Sequence, residues 1–261
     1  MDGNQILRDF ARIGARAVVE VSPLAGQLRL DVRSDNKGEY FDVRVGNDIA
    51  VRAVDIKPGM RHLLLLADNR DAPKDRFLCG HDERHWFVAA VPGDRGISGV
   101  RTAMEALKPE AVREAQARLG LRNAAQLRRK NRAFIRQGEW FFVPAPEVVI
   151  DPDVVLRNEP ISRGRGKPHM VERLARIGGE PVYVSHRAPN GLTRDQYTSL
   201  IARNPRARNS NWRIMVRNAV VYATGRVRHP DHATILLNGW HRVEMNTESR
   251  APSMRHVAFL D

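Results

Sequence analysis

The densest group of side chains able to carry chemistry is His229-Pro230-Asp231-His232, which places two imidazoles and a carboxylate within four residues. Imidazole and carboxylate groups are ligands with which proteins hold zinc and non-haem iron. The same residues also suit a stiff loop in which the histidines cap backbone groups or pair with Asp231. The segment therefore predicts part of a site for one zinc or iron ion, with a structural loop as the alternative.

A metal site needs at least one ligand from elsewhere, and the sequence offers His169 and His241. Asn238-Gly239 stands between two strand-like runs, 233–237 and 240–245, and this pattern predicts a two-residue hairpin turn. In such a hairpin His232 and His241 share a face but lie roughly 13 Å apart along it, which is too far for one metal ion. The predicted metal ligands are therefore His169, His229, Asp231 and His232.

Basic residues are the second feature with chemical meaning, because their excess is confined to one part of the chain. Residues 1–100 carry 15 basic and 15 acidic side chains, whereas residues 101–261 carry 28 and 15, so the whole net charge of +13 lies there. Such asymmetry suggests an anionic partner. Of the 43 basic residues 37 are arginine, whose planar fork suits phosphate and stacks on bases. A GC-rich genome would favour arginine over lysine, but it would not localise the excess.

Two segments concentrate this charge. Residues 101–136 hold ten basic and three acidic side chains, and residues 203–228 hold seven arginines and no acid, with Trp212 among them. Arginines interleaved with an aromatic ring are typical of single-strand binding. A solvated face whose carboxylate partners come from elsewhere is the alternative, as is a buried strand face for Trp212. The predicted nucleic-acid contacts are Arg128, Arg129, Lys130, Arg132, Arg163, Arg165, Lys167, Arg203, Arg206, Arg208, Trp212, Arg213, Arg217, Arg226 and Arg228.

Three short segments resemble known functional motifs. The glycine-rich run 162–169 could offer backbone amides to a phosphate, but it lacks the first glycine and the final Ser or Thr of a Walker A loop. His232-Ala233-Thr234 matches only one of the two elements that a 2H phosphoesterase requires. The run Cys79 to His85 contains a thiol, two imidazoles and two carboxylates, and we interpret it as a polar β-turn rather than a metal or thiol site.

The elements expected to position these groups indicate an α+β fold. Alternation in 28–33 and 41–45, with turn residues between them, predicts a hairpin; 63–67 and 86–91 resemble central strands, and 5–17 a helix. Helices are expected from Ser98 to Leu107, from Pro109 to Gly120, and from Asn123 to near Gly138, followed by a strand at 140–143. Beyond them we expect a helix at 168–177, a strand at 181–185, and a helix from Thr193 to Asn204.

These elements suggest three regions. The first is a β-rich N-terminal domain at 1–95, and the second is a basic helical segment at 96–145 that closes it. The third is a mixed α+β C-terminal domain at 146–261, which follows Pro144-Ala145-Pro146 and carries the histidine cluster. A cupin-like or small-barrel arrangement would account for the spacing of the histidines.

Three short motifs resemble an uncharacterised group of bacterial proteins with Gln-Gly-Asp, Gly-His-Ala-His and His-Glu-Glu-His in that order. The matching residues in this chain are Gln137-Gly138-Glu139-Trp140, Gly166-Lys167-Pro168-His169 and His229-Pro230-Asp231-His232. The resemblance covers about residues 137–247, and Lys167 replaces the first histidine of the second motif. It implies that the histidine-bearing segments belong to one site.

The function predicted from these features is binding of RNA or single-stranded DNA by the arginine-rich C-terminal part. A metal-dependent nuclease or phosphoesterase that uses the histidine cluster is the alternative, and a basic subunit of a larger protein assembly is the third. The longest apolar run, 63–67, is far short of the roughly 20 residues of a membrane helix, so no membrane partner is expected. The single cysteine, Cys79, fits a reducing compartment, and we expect the cytoplasm.

Overall fold

The chain has an α+β fold that is rich in β-structure, with its helices and strands largely in separate runs. The computed structural model describes residues 3–69, 73–93, 96–122, 124–163 and 167–251. Its helices are α1 Gly3–Arg12, α2 Val100–Ala106, α3 Glu110–Arg118, α4 Ala124–Leu127 and α5 Arg194–Arg203. Its strands are β1 Arg16–Ser22, β2 Leu28–Asp35, β3 Gly38–Gly46, β4 Ile49–Lys57, β5 His62–Asn69, β6 Asp75–Asp82, β7 His85–Ala90, β8 Ile135–Gln137, β9 Trp140–Pro144, β10 Leu156–Ile161, β11 His169–Ile177, β12 Glu180–Ser185, β13 Ala188–Leu192, β14 Arg213–Arg217, β15 Val220–His229 and β16 His232–Met245.

The N-terminal part contains two sheets that share a core. β1, β3 and β2 form one sheet, in which β2 and β3 are the predicted antiparallel hairpin and β1 lies parallel to β3. β4 to β7 form an antiparallel meander. Phe10 of α1, Phe41 and Phe77 are fully buried in the common core. The alternating residues of β2 point their apolar side chains into it, which is why sequence periodicity identified this hairpin.

Two predictions for this part need correction. The first helix ends at Arg12 rather than near Ala17, because residues from Arg16 onward pair with β3. The segment 86–91 was expected to be a central strand, but β7 lies at the edge of the meander. Its residues are nevertheless continuously apolar, because packing buries Val88, Ala89 and Ala90 even though the strand is at the edge of the sheet.

The middle of the chain is helical, as expected, but only as far as Leu127. The helices α2 and α3 agree with the sequence prediction within a few residues. The third helix, expected to run to Gly138, stops after one turn, and Asn123, its expected cap, lies outside the described residues. Ile135–Gln137 instead forms β8, which turns through Gly138-Glu139 into β9.

A six-stranded antiparallel sheet dominates the C-terminal half, with strand order β10-β11-β15-β16-β9-β8. Phe142, Val171, Leu174, Ala223 and Val227 are fully buried on its inner side. β9 pairs with β16, so strands from both sides of residue 146 form one sheet. The division of the chain at that residue remains a prediction. Within the described parts of the chain every sheet is open, so the cupin-like or small-barrel arrangement is wrong.

Residues 168–177, which we predicted to be helical, form the strand β11. Its pairing with β15 shifts register between Val171 and Arg173. This bulge places Val171 and Leu174, three positions apart, in the same core. Apolar residues at i and i+3 are also the signature of a helix, so the bulge makes the strand imitate helical periodicity.

The predicted turn at Asn238-Gly239 is also wrong, because β16 continues through it from His232 to Met245. The hairpin between β15 and β16 turns at Pro230-Asp231, where His229 pairs with His232. Asn238 and Gly239 lie in an irregularity of β16, between Leu237 opposite Gly225 and His241 opposite Ala223. Gly239 has φ of 80° there. An Asn-Gly pair tolerates positive φ, so it can occur in a β-bulge as well as in a turn. In β16 it lies in a bulge.

Residues 180–217, which we call the arginine module, are inserted between β11 and β15. They form the small sheet β13-β12-β14, with α5 packed on β12 and β13. The predicted cap is confirmed, since Thr193 Oγ1 accepts a hydrogen bond from the amide of Gln196. The module carries seven arginines and two acidic residues. None of the helices that the structure describes is long and apolar enough to cross a membrane.

Candidate metal centre

Three histidines from three strand ends meet in one place. His169 begins β11, His229 ends β15 and His232 begins β16. Because β11 pairs with β15, and β15 turns directly into β16, these strand ends must be neighbours. One potential ligand nitrogen from each histidine lies within 4.8 Å of the others. The three histidines predicted to hold a metal ion are therefore brought together.

The imidazole rings are packed face to face around this point. The ring centroids of His169 and His229 are 4.2 Å apart with an interplanar angle of 25°. Those of His169 and His232 are 5.6 Å apart, and those of His229 and His232 are 4.8 Å apart. In a tetrahedral zinc site with metal–nitrogen bonds of about 2.0–2.1 Å, ligand nitrogens lie roughly 3.4 Å from one another. For all three to bind one ion, the nitrogens, which lie within 4.8 Å of one another, would have to approach this spacing, and the stacked rings would have to turn towards the ion.

Gln137 orients His169. Its side-chain amide donates to the carbonyl oxygens of Ala233, at 2.7 Å, and Val227, at 3.3 Å. The amide oxygen of Gln137 is therefore left to accept the Nδ1–H of His169, at 2.9 Å. Both side chains are buried. Because Nδ1 is engaged with Gln137, Nε2 is the ring nitrogen of His169 that is available for a metal ion, as in metal-binding histidines whose other ring nitrogen donates to a carbonyl.

Glu83, from the N-terminal part of the chain, lies beside His232. It lies in the turn between β6 and β7, and its carboxylate lies 3.3 Å from Nδ1 of His232. The same carboxylate accepts the backbone amide of Ala233 at 2.8 Å, which fixes its position. A carboxylate beside one ring nitrogen favours a proton there and leaves Nε2 for a metal ion.

His229 has backbone contacts at both ring nitrogens. Its Nε2 donates to the carbonyl of Lys167 at 3.2 Å, and its Nδ1 accepts the amide of Asp231 at 3.1 Å. To bind a metal ion it must exchange one of these contacts for the ion. Burial, followed by the neighbouring His169 and His232, lowers the pKa of His229. Burial is also the main cause of the lowered pKa of His232. Both rings are therefore held neutral, the form that coordinates metals.

The carboxylate nearest to the free nitrogen of His169 is Glu139, not Asp231. Glu139 Oε2 lies 3.7 Å from Nε2 of His169. Asp231, which the sequence predicted as a ligand, points its carboxylate at Lys167 Nζ, 2.9 Å away, and is not part of the histidine group. Glu83 and Glu139 were not among the predicted site residues. The polar turn predicted at 79–85 could have pointed to Glu83, and the Gln-Gly-Glu motif could have pointed to Glu139.

Gly138 allows the backbone to approach the histidines closely. Its φ is 58°, and a Cβ placed on it would lie 2.8 Å from Nε2 of His232 and 3.3 Å from Cε1 of His169. Any larger residue would therefore meet the imidazole of His232. The left-handed conformation disfavours other residues as well. Gly138 is the residue that lets the β8–β9 turn form one wall of the site.

A half-open cavity of about 420 Å³ adjoins the three histidines. One part of its wall is polar and includes Glu139, Asp231 and the histidines. Another part is apolar and comes from the β6–β7 hairpin and the helices that follow it. The cavity therefore lies between the N-terminal meander and the six-stranded sheet, and both parts of the chain contribute to it.

Four of the predicted nucleic-acid contacts line this cavity, and three of these four are paired with acidic residues. Arg129 pairs with Asp82 and Glu83, Arg163 with Glu248 at 2.8 Å, and Lys167 with Asp231. Arg128 is the fourth. Lys130 and Arg132 are not buried. Arg165 lies outside the described residues.

The other predicted contacts lie on the arginine module and on β15. Arg203, Arg206, Arg208, Arg213 and Arg226 are exposed, and within the described ranges their side chains have no carboxylate partner. Arg217 forms an ion pair with Glu180 at 2.8 Å, and Arg228 donates to Asn158 at 3.1 Å. Five arginines of this group are therefore exposed and unpaired within the described ranges, whereas Arg129, Arg163 and Lys167 at the cavity have acidic partners.

Trp212 is half-buried inside the module. Its indole N–H donates to the carbonyl of Ala207 at 2.8 Å, and the edge of its ring meets Tyr197, with centroids 5.1 Å apart. The alternative expectation, burial on a strand face with Ile214 and Val216, does not describe it, since those side chains are 70% and 59% exposed. The ring instead packs against α5.

The run 79–85 forms the polar turn that the sequence suggested. Cys79 is buried in β6, and burial strongly raises the pKa of its thiol. The ring of His81 packs edge-on against Trp86, and His85 Nδ1 lies 2.7 Å from Glu39. Among the described residues these side chains do not form a metal-binding group. The contribution of this run to the site is Glu83.

The three motifs that resemble the bacterial group therefore meet at one site. Gln137, Gly138 and Glu139 form one wall, Lys167 and His169 a second, and the 229–232 turn a third. Comparison of the chain with protein-family models, curated proteins and solved structures finds no match. Its function is therefore inferred from the geometry of this site and from the distribution of charge.

Proposed function

We propose that the protein is a metal-dependent phosphoesterase whose centre holds one zinc or iron ion on His169, His229 and His232. The observation that carries the proposal is the convergence of three imidazoles at the wall of a cavity, with His169 held by Gln137 through its second ring nitrogen and His232 beside the carboxylate of Glu83. Structural zinc sites use four protein ligands, whereas catalytic sites use three and leave a position open for water or substrate. Three histidines beside an open cavity fit the second type.

The residues around the histidines have roles that suit hydrolysis. A zinc or iron ion held by His169, His229 and His232 would supply a nucleophile by lowering the pKa of a water molecule towards neutrality. Glu139, beside His169, accepts the proton that the water molecule loses. The oxygen of that water would form a bond to phosphorus as the ester P–O bond breaks, and the leaving alkoxide would take up the proton held by Glu139. Lys167, at the cavity wall, is already paired with the carboxylate of Asp231.

Hydrolysis of a phosphate ester such as 4-nitrophenyl phosphate by the zinc- or iron-loaded protein tests this proposal. We expect Glu139→Gln to lower kcat by roughly 100-fold or more, as expected for loss of a general base, with metal content unchanged. The matched control is Glu147→Gln, which removes an exposed carboxylate and should leave kcat unaltered. Hydrolysis that is unaffected by Glu139→Gln, or by removal of the metal, would contradict the proposed mechanism.

A second proposal concerns nucleic acid, and a separate observation favours it. Arg203, Arg206, Arg208 and Arg213 are exposed on one small module and, in the part of the chain that the structure describes, lack carboxylate partners. Unneutralised arginines on one surface attract a polyanion. We propose that the arginine module binds single-stranded RNA or DNA and that it does so in the cytoplasm, the compartment that a single buried cysteine suits.

The salt dependence of oligonucleotide binding tests this second proposal. We expect the double change Arg206→Gln, Arg208→Gln to weaken binding and to make the slope of log K against log salt shallower by about 1.4, or 0.7 for each lost contact. The control is Arg12→Gln, Arg52→Gln, which removes the same charge from the N-terminal part and should change the slope little. Equal effects of the two double variants would show that net charge alone acts. Binding to acidic proteins but not to oligonucleotides would favour a subunit of a larger assembly.

A further inference from the structure

We infer that the cavity beside the histidines takes a small phosphate ester whose apolar or aromatic group lies against Phe87, Met104, Leu107 and Phe134, and whose anionic end is held by Arg128. This inference rests on the proposed phosphoesterase function and adds the substrate class. It also separates the substrate of this cavity from the polymer that the arginine module would bind.

The apolar wall is the first observation behind the inference. Phe87 of β7, Met104 of α2, and Leu107 and Phe134 beyond it all line the cavity. Leu107 and Phe134 are almost fully buried, while Phe87 and Met104 are half-buried and therefore keep part of their surface open to the cavity. Such surface favours an apolar group over water, in proportion to the area that the group covers.

Polar groups in the same region are already engaged. Lys108 Nζ donates to the carboxylate of Glu105 at 2.5 Å and to the carbonyl of Gln126 at 2.8 Å. His62 Nδ1 donates to the carbonyl of Met60 at 2.5 Å. Both residues line the cavity, but these polar atoms are directed to protein partners. This part of the cavity therefore presents mainly carbon to a ligand.

The anionic end of the ligand is assigned by elimination among the cations that line the cavity. Arg129, Arg136, Arg163, Lys167 and Lys108 all have carboxylate partners. Arg128 lines the cavity, is partly exposed, and has no carboxylate partner among the residues described. Its guanidinium is thus the cation left to pair with a ligand, and its planar fork suits a phosphate group.

The size of the cavity limits the size of the ligand. A volume of about 420 Å³ lies in the range of pockets that hold one small molecule, roughly 300–1,000 Å³. A duplex cannot enter it, and a single strand could place no more than one unit in it. The ligand inferred for this cavity is therefore a phosphate ester of nucleotide size or smaller, with an apolar or aromatic part.

Binding of two non-hydrolysable phosphonates to the full-length protein tests the inference without requiring catalysis. 1-Naphthylmethylphosphonate and methylphosphonate share the anionic group and differ in the aromatic part. We expect calorimetry to show that the naphthyl compound binds at least about tenfold more tightly, in the presence and absence of zinc. Arg128→Gln should weaken both compounds by about tenfold or more, while Arg132→Gln, which removes a neighbouring charge, should weaken neither.

Met104→Gln separates the apolar wall from the anion contact. This change keeps the length of the side chain and should reduce the affinity for the naphthyl compound alone. Equal affinities of the two phosphonates, or naphthyl binding that survives both Arg128→Gln and Met104→Gln, would overturn the inference. Tight, Arg128-dependent binding in a protein that hydrolyses no phosphate ester would support the ligand class and refute only the phosphoesterase proposal.

Discussion

At the scale of single residues, Gly138 shows how closely the backbone approaches the histidines. Its backbone occupies the space that a side chain would take from His232, and its positive φ suits glycine. Gln137 binds Nδ1 of His169, and the carboxylate of Glu83 lies 3.3 Å from Nδ1 of His232. Residues outside the histidine group therefore surround two of the three rings.

We expect Gly138→Ala to damage metal binding more than folding. The added methyl group would push His232 away from its present position, and loss of orientation at a ligand typically lowers metal affinity by about 10–100-fold. The left-handed backbone adds roughly 1–2 kcal/mol of destabilisation. Metal affinity by competition with a chelator, together with thermal unfolding of the metal-free protein, measures the two effects.

Gly120→Ala is the matched control for this change. Gly120 has φ of 60°, nearly that of Gly138, but a Cβ placed there would meet no atom within 4 Å. It should show the backbone cost without the loss of metal affinity. Equal metal affinity in the two variants would mean that His232 does not coordinate.

The sequence identified the histidines but not the carboxylates around them. His229 and His232 lie three positions apart, and two imidazoles so close together are visible without a structure. Glu83 contacts the amide of Ala233 across 150 positions of the chain. Such a contact cannot be predicted from a single sequence, because the approach of Glu83 to Ala233 depends on how the β6–β7 turn packs against the six-stranded sheet. His169 does join the group as predicted, although the hairpin used to exclude His241 is not formed.

At the scale of elements, bulges account for the largest differences between sequence and structure. In β11 a bulge produces helix-like spacing of Val171 and Leu174, and in β16 the Asn-Gly pair serves a bulge. Periodicity predicted the hairpin of β2 and β3 because its register is unbroken. Local patterns therefore predict regular strands well, whereas a shift of register changes which face each side chain occupies.

The arginine module supplies a prediction at this scale. Trp212 links α5 to the turn that precedes β14, through Tyr197 and the carbonyl of Ala207. We expect Trp212→Ala to lower the free energy of unfolding by about 3 kcal/mol, since it removes a large packed ring and a hydrogen bond. Trp212→Phe should recover most of the packing.

Chemical denaturation and oligonucleotide binding, measured on both Trp212 variants, distinguish packing from base stacking. If the ring stacks on a base, Trp212→Ala should weaken single-strand binding by roughly 1–3 kcal/mol and leave stability almost unchanged. That result would contradict a structural role for Trp212.

At the scale of the whole molecule, the site joins the two parts of the chain. Asp82 and Glu83 of the N-terminal meander meet Arg136 and His232 of the C-terminal part. On the other side of the cavity Glu248 accepts a hydrogen bond from Arg163 and contacts the amide of Ala90. The cavity therefore depends on the complete fold, and a division at residue 95 or 146 would separate groups that form it.

Elemental analysis of the purified full-length protein is the most direct test of the central claim, that His169, His229 and His232 hold a metal ion. We expect about one zinc or iron ion per chain, lost in the double variant His229→Ala, His232→Ala. The control His186→Ala, which removes an exposed histidine of the arginine module, should keep the metal. A folded protein that contains no zinc or iron and takes up neither when it is supplied, or a double variant that retains the metal, would contradict the claim.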